Sequence, residues 1–225
     1  MSEEEKQPEL VMCVHQAAFK QLSESVDKST AIMLLYGMPG CTMMLDRNVV
    51  ENEPRLLQLI TYTVISSEGK YLVYRRGKSG GEERLHSLYS IGIGGHVNME
   101  DVCNATGRTA KTGSATDPIW QCMVRELREE LNMPDEMKIS MTALPAIYDA
   151  SSDVSKVHIG FSSIINIEKQ DMVTPKEDCI EDMQWLTLEE LQSDVWKSKL
   201  ESWSNIAVVH IQAKEAEKNV QLPEE

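Results

Sequence analysis

The chain has 225 residues, an apolar fraction of 41% and a formal net charge of −14. That length supports one good core with a small accessory element, and no stretch approaches the apolar length of a membrane span. So acidic a balance argues against a nucleic-acid backbone as main partner, but not against a small phosphorylated substrate, because a bound cation or a local basic loop can supply the positive charge; no membrane partner is expected.

Cys13, Cys41, Cys103, Cys122 and Cys179 form an odd, scattered set with no C-x-x-C spacing. This fits free thiols in a reducing, cytoplasmic setting better than a disulfide framework or a cysteine zinc site. The start, Met1-Ser2-Glu3-Glu4-Glu5-Lys6, lacks the basic-then-apolar form of a secretion signal.

Residues 1–9 read as disordered. Residues 11–14 read as a strand leading into a short helix over 17–23. Residues 31–36 and 41–45 are apolar runs divided by the turn Gly37-Met38-Pro39-Gly40, and they read as a strand pair. Asp46 can cap a short helix that Pro54 ends. Residues 1–57 are therefore expected to be an N-terminal extension packed on a main domain.

Residues 58–66 and 70–76 are β-rich and separated by Ser67-Glu68-Gly69, which predicts a hairpin. A glycine-rich basic loop follows, carrying Arg75, Arg76, Lys78, Arg84 and His86 in an acidic protein. Two readings stand for it. It is a solvated hairpin loop, or it is a rim that touches phosphate or base through Arg forks and backbone amides. A strand over 88–93 then delivers the chain to Gly94-Gly95-His96-Val97-Asn98-Met99-Glu100-Asp101. Residues 102–118 are small and polar, which predicts a surface loop; a lid placing Arg108 or Lys111 over phosphates is the alternative.

Trp120, Met123, Val124, Leu127 and Leu131 recur at three- and four-residue steps, so a helix is expected here. Thr116 or Asp117 can cap it and Pro118 suits its first position. Asn132 can take the left-handed conformation that ends a helix, and Pro134 forbids continuation. On this helix Glu126, Glu129 and Glu130 share a face and repel one another. Either the face is solvated and offset by Arg125 and Arg128, or it lines a cleft in which a hard divalent cation takes the carboxylate oxygens.

Residues 137–150 and 156–167 read as strands and 183–186 as a further short one. Thr187 and Glu190 form a capping-box pattern for a short helix. Residues 195–213 read as an amphipathic helix with Trp196 and Trp203 as core anchors. Residues 214–225 read as a flexible, charged tail.

The loop and helix together resemble the Nudix hydrolase signature: Gly, five residues, Glu, seven residues, then Arg-Glu-apolar-any-Glu-Glu-any-Gly-apolar. Gly95 matches the first Gly, and Arg125, Glu126, Leu127, Glu129, Glu130 and Met133 match the helical part. Asp101 stands at the loop carboxylate, with Glu100 one step early. The 23 residues 102–124 replace the seven of the pattern, and Asn132 replaces the last Gly.

The resemblance implies an α/β fold, the Nudix α/β/α sandwich with a mixed sheet, over residues 58–213. It implies metal-dependent hydrolysis of a diphosphate bond in a nucleoside-diphosphate-linked substrate, such as a nucleotide sugar, dinucleotide or nucleotide. Mg²⁺ or Mn²⁺ would be held by Glu126, Glu129 and Glu130, with the Gly95 carbonyl and Asp101 as further contacts. Arg125 would hold the carboxylates, Glu126 or a loop partner would act on water, and His96 would meet substrate or serve structure. Glu177, in an acidic loop before the Trp185 strand, is a further candidate ligand or base. A homodimer through the extension or the terminal helix is compatible with the family.

Three alternatives remain beside the enzyme. They are a Nudix-like domain that binds and senses a nucleotide metabolite, an isomerase of the isopentenyl diphosphate type, and a scaffold whose helix acids are only a solvated face. The isomerase ranks low, because its chemistry needs a pocket Cys and none closely precedes Gly94-Gly95.

Overall fold

The computed structural model describes residues 8–77, 87–106, 117–134, 136–137, 139–151, 155–176 and 180–220. They fall into two compact units: Met1–Thr61 with Gly95–Cys122 and Tyr148–Gly160, and Tyr62–Gly94 with Met123–Ile147 and Phe161–Glu225.

The first unit is built on β1 (Leu10–His15), which is apolar and buried from Val11 to Val14. It pairs antiparallel with β2 (Thr42–Asp46), Met12 opposite Met44, and with β3 (Leu56–Ser67), Cys13 opposite Gln58. Val11, Cys13, Val50 and Leu56 form its buried cluster, with Met43 and Leu45 against it. Helix α1 (Gln16–Ser23) buries Phe19, whose ring meets Tyr148 edge-on at 5.2 Å.

Residues 31–36 depart from expectation. They are not a strand but lie in helix α2 (Lys28–Gly37), which buries Ala31, Ile32 and Leu35. A short apolar run does not distinguish helix from strand by its periodicity. Asp27 decides it: its carboxylate accepts the Thr30 amide at 3.0 Å and the Thr30 hydroxyl at 2.6 Å, tying up the first turn. Asp46 caps α3 (Arg47–Val50) as expected, through the Asn48 amide at 2.9 Å. The stretch after Asn98 also differs. Helix α4 (Met99–Thr106) occupies the first part of the expected surface loop. The rest of that loop, with Arg108 and Lys111, lies outside the described residues.

In the second unit β3 and β4 (Lys70–Arg76) form the expected hairpin, Ser67 opposite Lys70. Glu68 and Gly69 both have positive φ, 52° and 75°, the two-residue turn whose twist matches that of the strands. The expected strand over 88–93 is two short pieces. β5 (Tyr89–Ser90) pairs with β4, and β6 (Gly92–Ile93) pairs with β3. β11 (Ile180–Leu186) lies along β4, with an irregularity between Glu181 and Gln184 where Asp182 takes φ 45°. β8 (Met141–Ala143) pairs with β9 (His158–Asn166), which pairs with β3. Among the described residues of the strand expected over 137–150, only these three are strand.

Helix α5 (Pro118–Glu130) matches its expectation. Asn132 does not end it in a left-handed turn; it sits in β7 (Leu131–Asn132), paired with β10 (Thr174–Pro175). The Asn132 amide donates to the Thr174 hydroxyl at 3.2 Å and to the Pro175 carbonyl at 2.9 Å. Thr187 and Glu190 cap α6 (Leu188–Leu191) reciprocally, as their spacing predicts. The long final helix is interrupted instead: α7 (Asp194–Lys197) is one turn, and α8 (Ser202–Val220) runs past residue 213. α8 brings Leu200-flanking and helical residues Ala207, Val208 and Ile211 onto Tyr62, Val64, Tyr71, Val73 and Ile91 in the larger core. No helix among the described residues is long and apolar enough to cross a membrane.

Candidate functional site on helix α5

Asp117 starts α5. Its carboxylate accepts the Ile119 amide at 2.9 Å and the Tyr36 hydroxyl at 2.5 Å, and its carbonyl takes the Gln121 amide. Cys122, Met123 and Leu127 are buried, which fixes which side of the helix faces the interior. Arg125, Glu126, Glu129 and Glu130 lie outside that buried stripe. Nη1 of Arg125 donates to Glu126 Oε1 at 2.7 Å and to Glu129 Oε2 at 2.9 Å. The Arg125 and Glu126 side chains are 16% and 13% exposed, against 50% for Glu129. The first pair is therefore the better shielded from water and the stronger of the two.

Lys176 anchors the other end of the helix. Its amide donates to the Glu130 carbonyl at 2.9 Å and its ammonium to the Arg128 carbonyl at 2.8 Å. A cation at a helix C-terminus answers both the unpaired carbonyls and the helix dipole. The carboxylate-bearing turn is thus held from behind. Its sequence distance from α5 hides this role, and a lysine after Pro175 carries no local mark of it.

The basic candidates divide. Arg75 pairs with Glu181 at 2.8 Å. Arg76 Nε donates to Glu201 Oε2 at 3.0 Å, and Glu201 is buried. Burial works to lower the Arg76 pKa, but the charges of Glu201, Tyr74, Tyr62 and Glu130 outweigh it and raise it. Both arginines thus have partners within the fold. Lys78, Arg84, His86 and Glu177 lie outside the described residues.

Gly95, His96 and Asp101 belong to the first unit. The Gly95 carbonyl accepts the Thr61 amide at 3.0 Å and the Cys122 thiol at 3.5 Å. Asp101 is fully buried and caps α4: it accepts the Asn98 amide at 2.9 Å, while the Asn98 side chain takes the Asp101 amide at 3.2 Å. This reciprocal pair satisfies two helix-end donors.

His96 faces His158. Their Nε2 atoms are 3.2 Å apart and their rings meet edge-on at 5.2 Å. Glu51 Oε2 lies 3.9 Å from His158 Nε2. Among the described residues, the three or more His, Cys, Asp or Glu donor atoms that gather within 4.8 Å are those of Glu51, His96 and His158. Glu126, Glu129 and Glu130 do not gather so closely. Sequence reasoning singled out His96 alone, because Glu51 and His158 share no spacing motif with it.

No protein-family model matches the chain. It is 35% identical over 162 residues to protein YmaB of Bacillus subtilis strain 168, covering 72% of this chain and 74% of YmaB. Its structure is similar to that of Tm1382, provisionally described as a Nudix hydrolase, with a TM-score of 0.64 and 23% identity over 89% of this chain and 96% of that one. The chain belongs to the YmaB family and carries the Nudix fold.

That YmaB-family fold bears out the expected α/β class with its mixed sheet and helices. The Nudix domain of Shewanella oneidensis NrtR, solved with ADP ribose, is also similar, with a TM-score of 0.46 and 14% identity over 73% of this chain and 89% of that one.

Proposed function

We propose that this chain is a metal-dependent pyrophosphohydrolase that cleaves a diphosphate bond in a nucleoside-diphosphate-linked substrate. The observation that carries this reading is the α5 turn itself. Glu126 and Glu129 share one guanidinium nitrogen of Arg125, and Glu130 follows, on a helix pinned at both ends. Glu126, Glu129 and Glu130 offer carboxylate oxygens from one stretch of helix, the donor chemistry that Mg²⁺ or Mn²⁺ prefers. Glu129 and Glu130 would hold the cation, with Glu126 as a further contact.

A bound cation would neutralise diphosphate oxygens and make a water more acidic. Arg125 keeps Glu126 and Glu129 from swinging apart, so their oxygens stay aimed at one region. Glu126, the more buried of that pair, is placed to orient the attacking water or take its proton. Lys176 holds the helix end that carries Glu130 in place. Lys78, Arg84 and His86 remain candidates for substrate contact. Arg75 and Arg76 would have to leave carboxylate partners to take that role.

The test is a hydrolysis screen over nucleotide sugars, dinucleotides, nucleoside triphosphates and capped RNA, run with Mg²⁺ and with Mn²⁺. Glu129→Gln and Glu130→Gln should each lower turnover on the order of a hundredfold or more while the fold stays intact. Undiminished turnover in both variants at limiting Mg²⁺ would remove the metal-site assignment.

One observation favours a second reading, in which the domain binds a nucleotide metabolite without cleaving it. Asp101, which stands at the loop-acid position, is fully buried and engaged in capping α4. Saturable binding of a nucleotide with no product released over the same panel would favour this reading.

A further inference from the structure

We propose that Glu51, His96 and His158 form a second metal site, which takes a divalent transition-metal ion of the zinc type and is separate from the α5 carboxylates. All three residues lie in the first unit. His158 opens β9, His96 bridges to Ile60 of β3, and Glu51 follows α3 directly, its amide donating to the Arg47 carbonyl. Backbone that is paired or helical positions each ligand, so the site stands on rigid elements.

The donor atoms already have the spacing of a coordination shell. For metal–nitrogen bonds of 2.0–2.1 Å, tetrahedral ligands stand about 3.3 Å apart. The two Nε2 atoms are 3.2 Å apart, and Glu51 Oε2 is 3.9 Å from His158 Nε2. Glu51 is the partly exposed member of the three and can close the remaining gap by a side-chain adjustment. The histidines are 9% and 4% exposed, so their facing nitrogens lie away from bulk water. Two imidazoles meeting nitrogen to nitrogen can share one proton in a hydrogen bond, or both can direct lone pairs at a cation.

A neighbouring buried amide steadies the carboxylate. Gln58 is fully buried, and its Oε1 has no hydrogen-bond partner. The same amide places its Nε2 3.5 Å from Glu51 Oε2. That nitrogen donates to the carboxylate, so the amide helps to hold Glu51 beside the two histidines. Arg47 Nε lies 3.5 Å from the other Glu51 oxygen, Oε1, and so orients the carboxylate from outside. Two imidazoles and a carboxylate suit zinc, iron or nickel better than Mg²⁺.

The test uses the full chain without a histidine tag. After chelation it is titrated with Co²⁺ and Zn²⁺, followed by the visible Co²⁺ spectrum, calorimetry and thermal melting. The parent protein should bind one equivalent with the intense bands of low-coordinate Co²⁺ and a raised Tm. His158→Gln and Glu51→Gln should each weaken binding tenfold or more and abolish the Tm rise. Glu51→Gln changes a partly exposed side chain and serves if His158→Gln fails to fold. Glu129→Gln and Glu130→Gln should leave this binding unchanged. Equal affinity in Glu51→Gln and the parent would overturn the site, as would a sulfur-to-cobalt absorption band or binding lost only with the α5 acids. So would the absence of any bound equivalent, which would leave the two imidazoles as a hydrogen-bonded pair. Because turnover is not read, these results stand apart from the outcome of the hydrolysis screen.

Discussion

Single residues in this protein act through how deeply they are buried. Tyr62 is the clearest case. Its hydroxyl lies 2.8 Å from Ser204 Oγ and 3.2 Å from both Ser90 Oγ and Glu201 Oε1. Its ring lies so close to Gly92 that a β-carbon there would stand 2.2 Å from Cε1 and 2.3 Å from Cζ. Those ring atoms are packed and cannot swing aside as a flexible chain end would. Gly92→Ala should therefore displace Tyr62, loosen the hydroxyl cluster and cost about 1–3 kcal/mol, read as a lower midpoint in denaturant unfolding. A midpoint equal to the parent's would show that the ring has room to move.

Cys13 shows the same principle through a proton. Burial pushes its thiol from 9.0 to about 12, so the folded state keeps a proton that the unfolded chain loses. The unfolded state binds fewer protons between those values, and folding stability falls as pH rises through that window. The slope attributable to one such group is on the order of 1 kcal/mol per pH unit. Cys13→Ala should be less sensitive than the parent to a rise from about pH 9 to about pH 10. In the parent near the ordinary thiol value, about pH 8.5, the exposed Cys103 should be alkylated well before the buried Cys13, as peptide mass mapping would show.

At the scale of elements, legibility followed locality. The β3–β4 hairpin, the α6 capping box and α5 are each specified by residues within a few positions of one another. So are the Arg125, Glu126, Glu129 and Glu130 that α5 displays. Elements whose identity rests on distant partners were not legible. Asn132 is a strand residue because β10 pairs with it, and no local pattern places Thr174 there. Locality alone was not enough: the apolar run of α2 is a helix because of Asp27, a local cap that lies four residues before Ala31 and outside the run itself. α4 likewise begins with an Asn98–Asp101 cap that the small, polar residues after it concealed.

A cap also decides how well α5 holds its acids. Asp117 receives both the Ile119 amide and the Tyr36 hydroxyl. Asp117→Ala should cost about 1 kcal/mol from the lost cap, with more from the lost Tyr36 hydrogen bond. Because the first turn frays while Lys176 still holds the last, hydrolytic activity should fall less than stability does. Thermal melting beside turnover measures both, and an activity loss as deep as that of Glu130→Gln would mean that the first turn positions the carboxylates.

For the whole molecule, a charge of −14 is a reservoir of acids that attract cations without selecting among them. Selection comes from donor type. The α5 turn offers carboxylate oxygen alone, whereas Glu51, His96 and His158 offer two nitrogens and one oxygen. Each set also belongs to a different compact unit. Ions that choose between oxygen and nitrogen should therefore protect different segments from hydrogen exchange, since a bound ion suppresses local opening where its ligands lie. Mg²⁺ should slow exchange in peptides spanning 123–132 and leave those containing Glu51 and His158 unchanged. Zn²⁺, at one equivalent, should slow the latter, and Glu51→Gln should remove that effect without altering the response to Mg²⁺. Uniform slowing of every peptide by either ion would instead mean that the cations act only by screening an acidic surface.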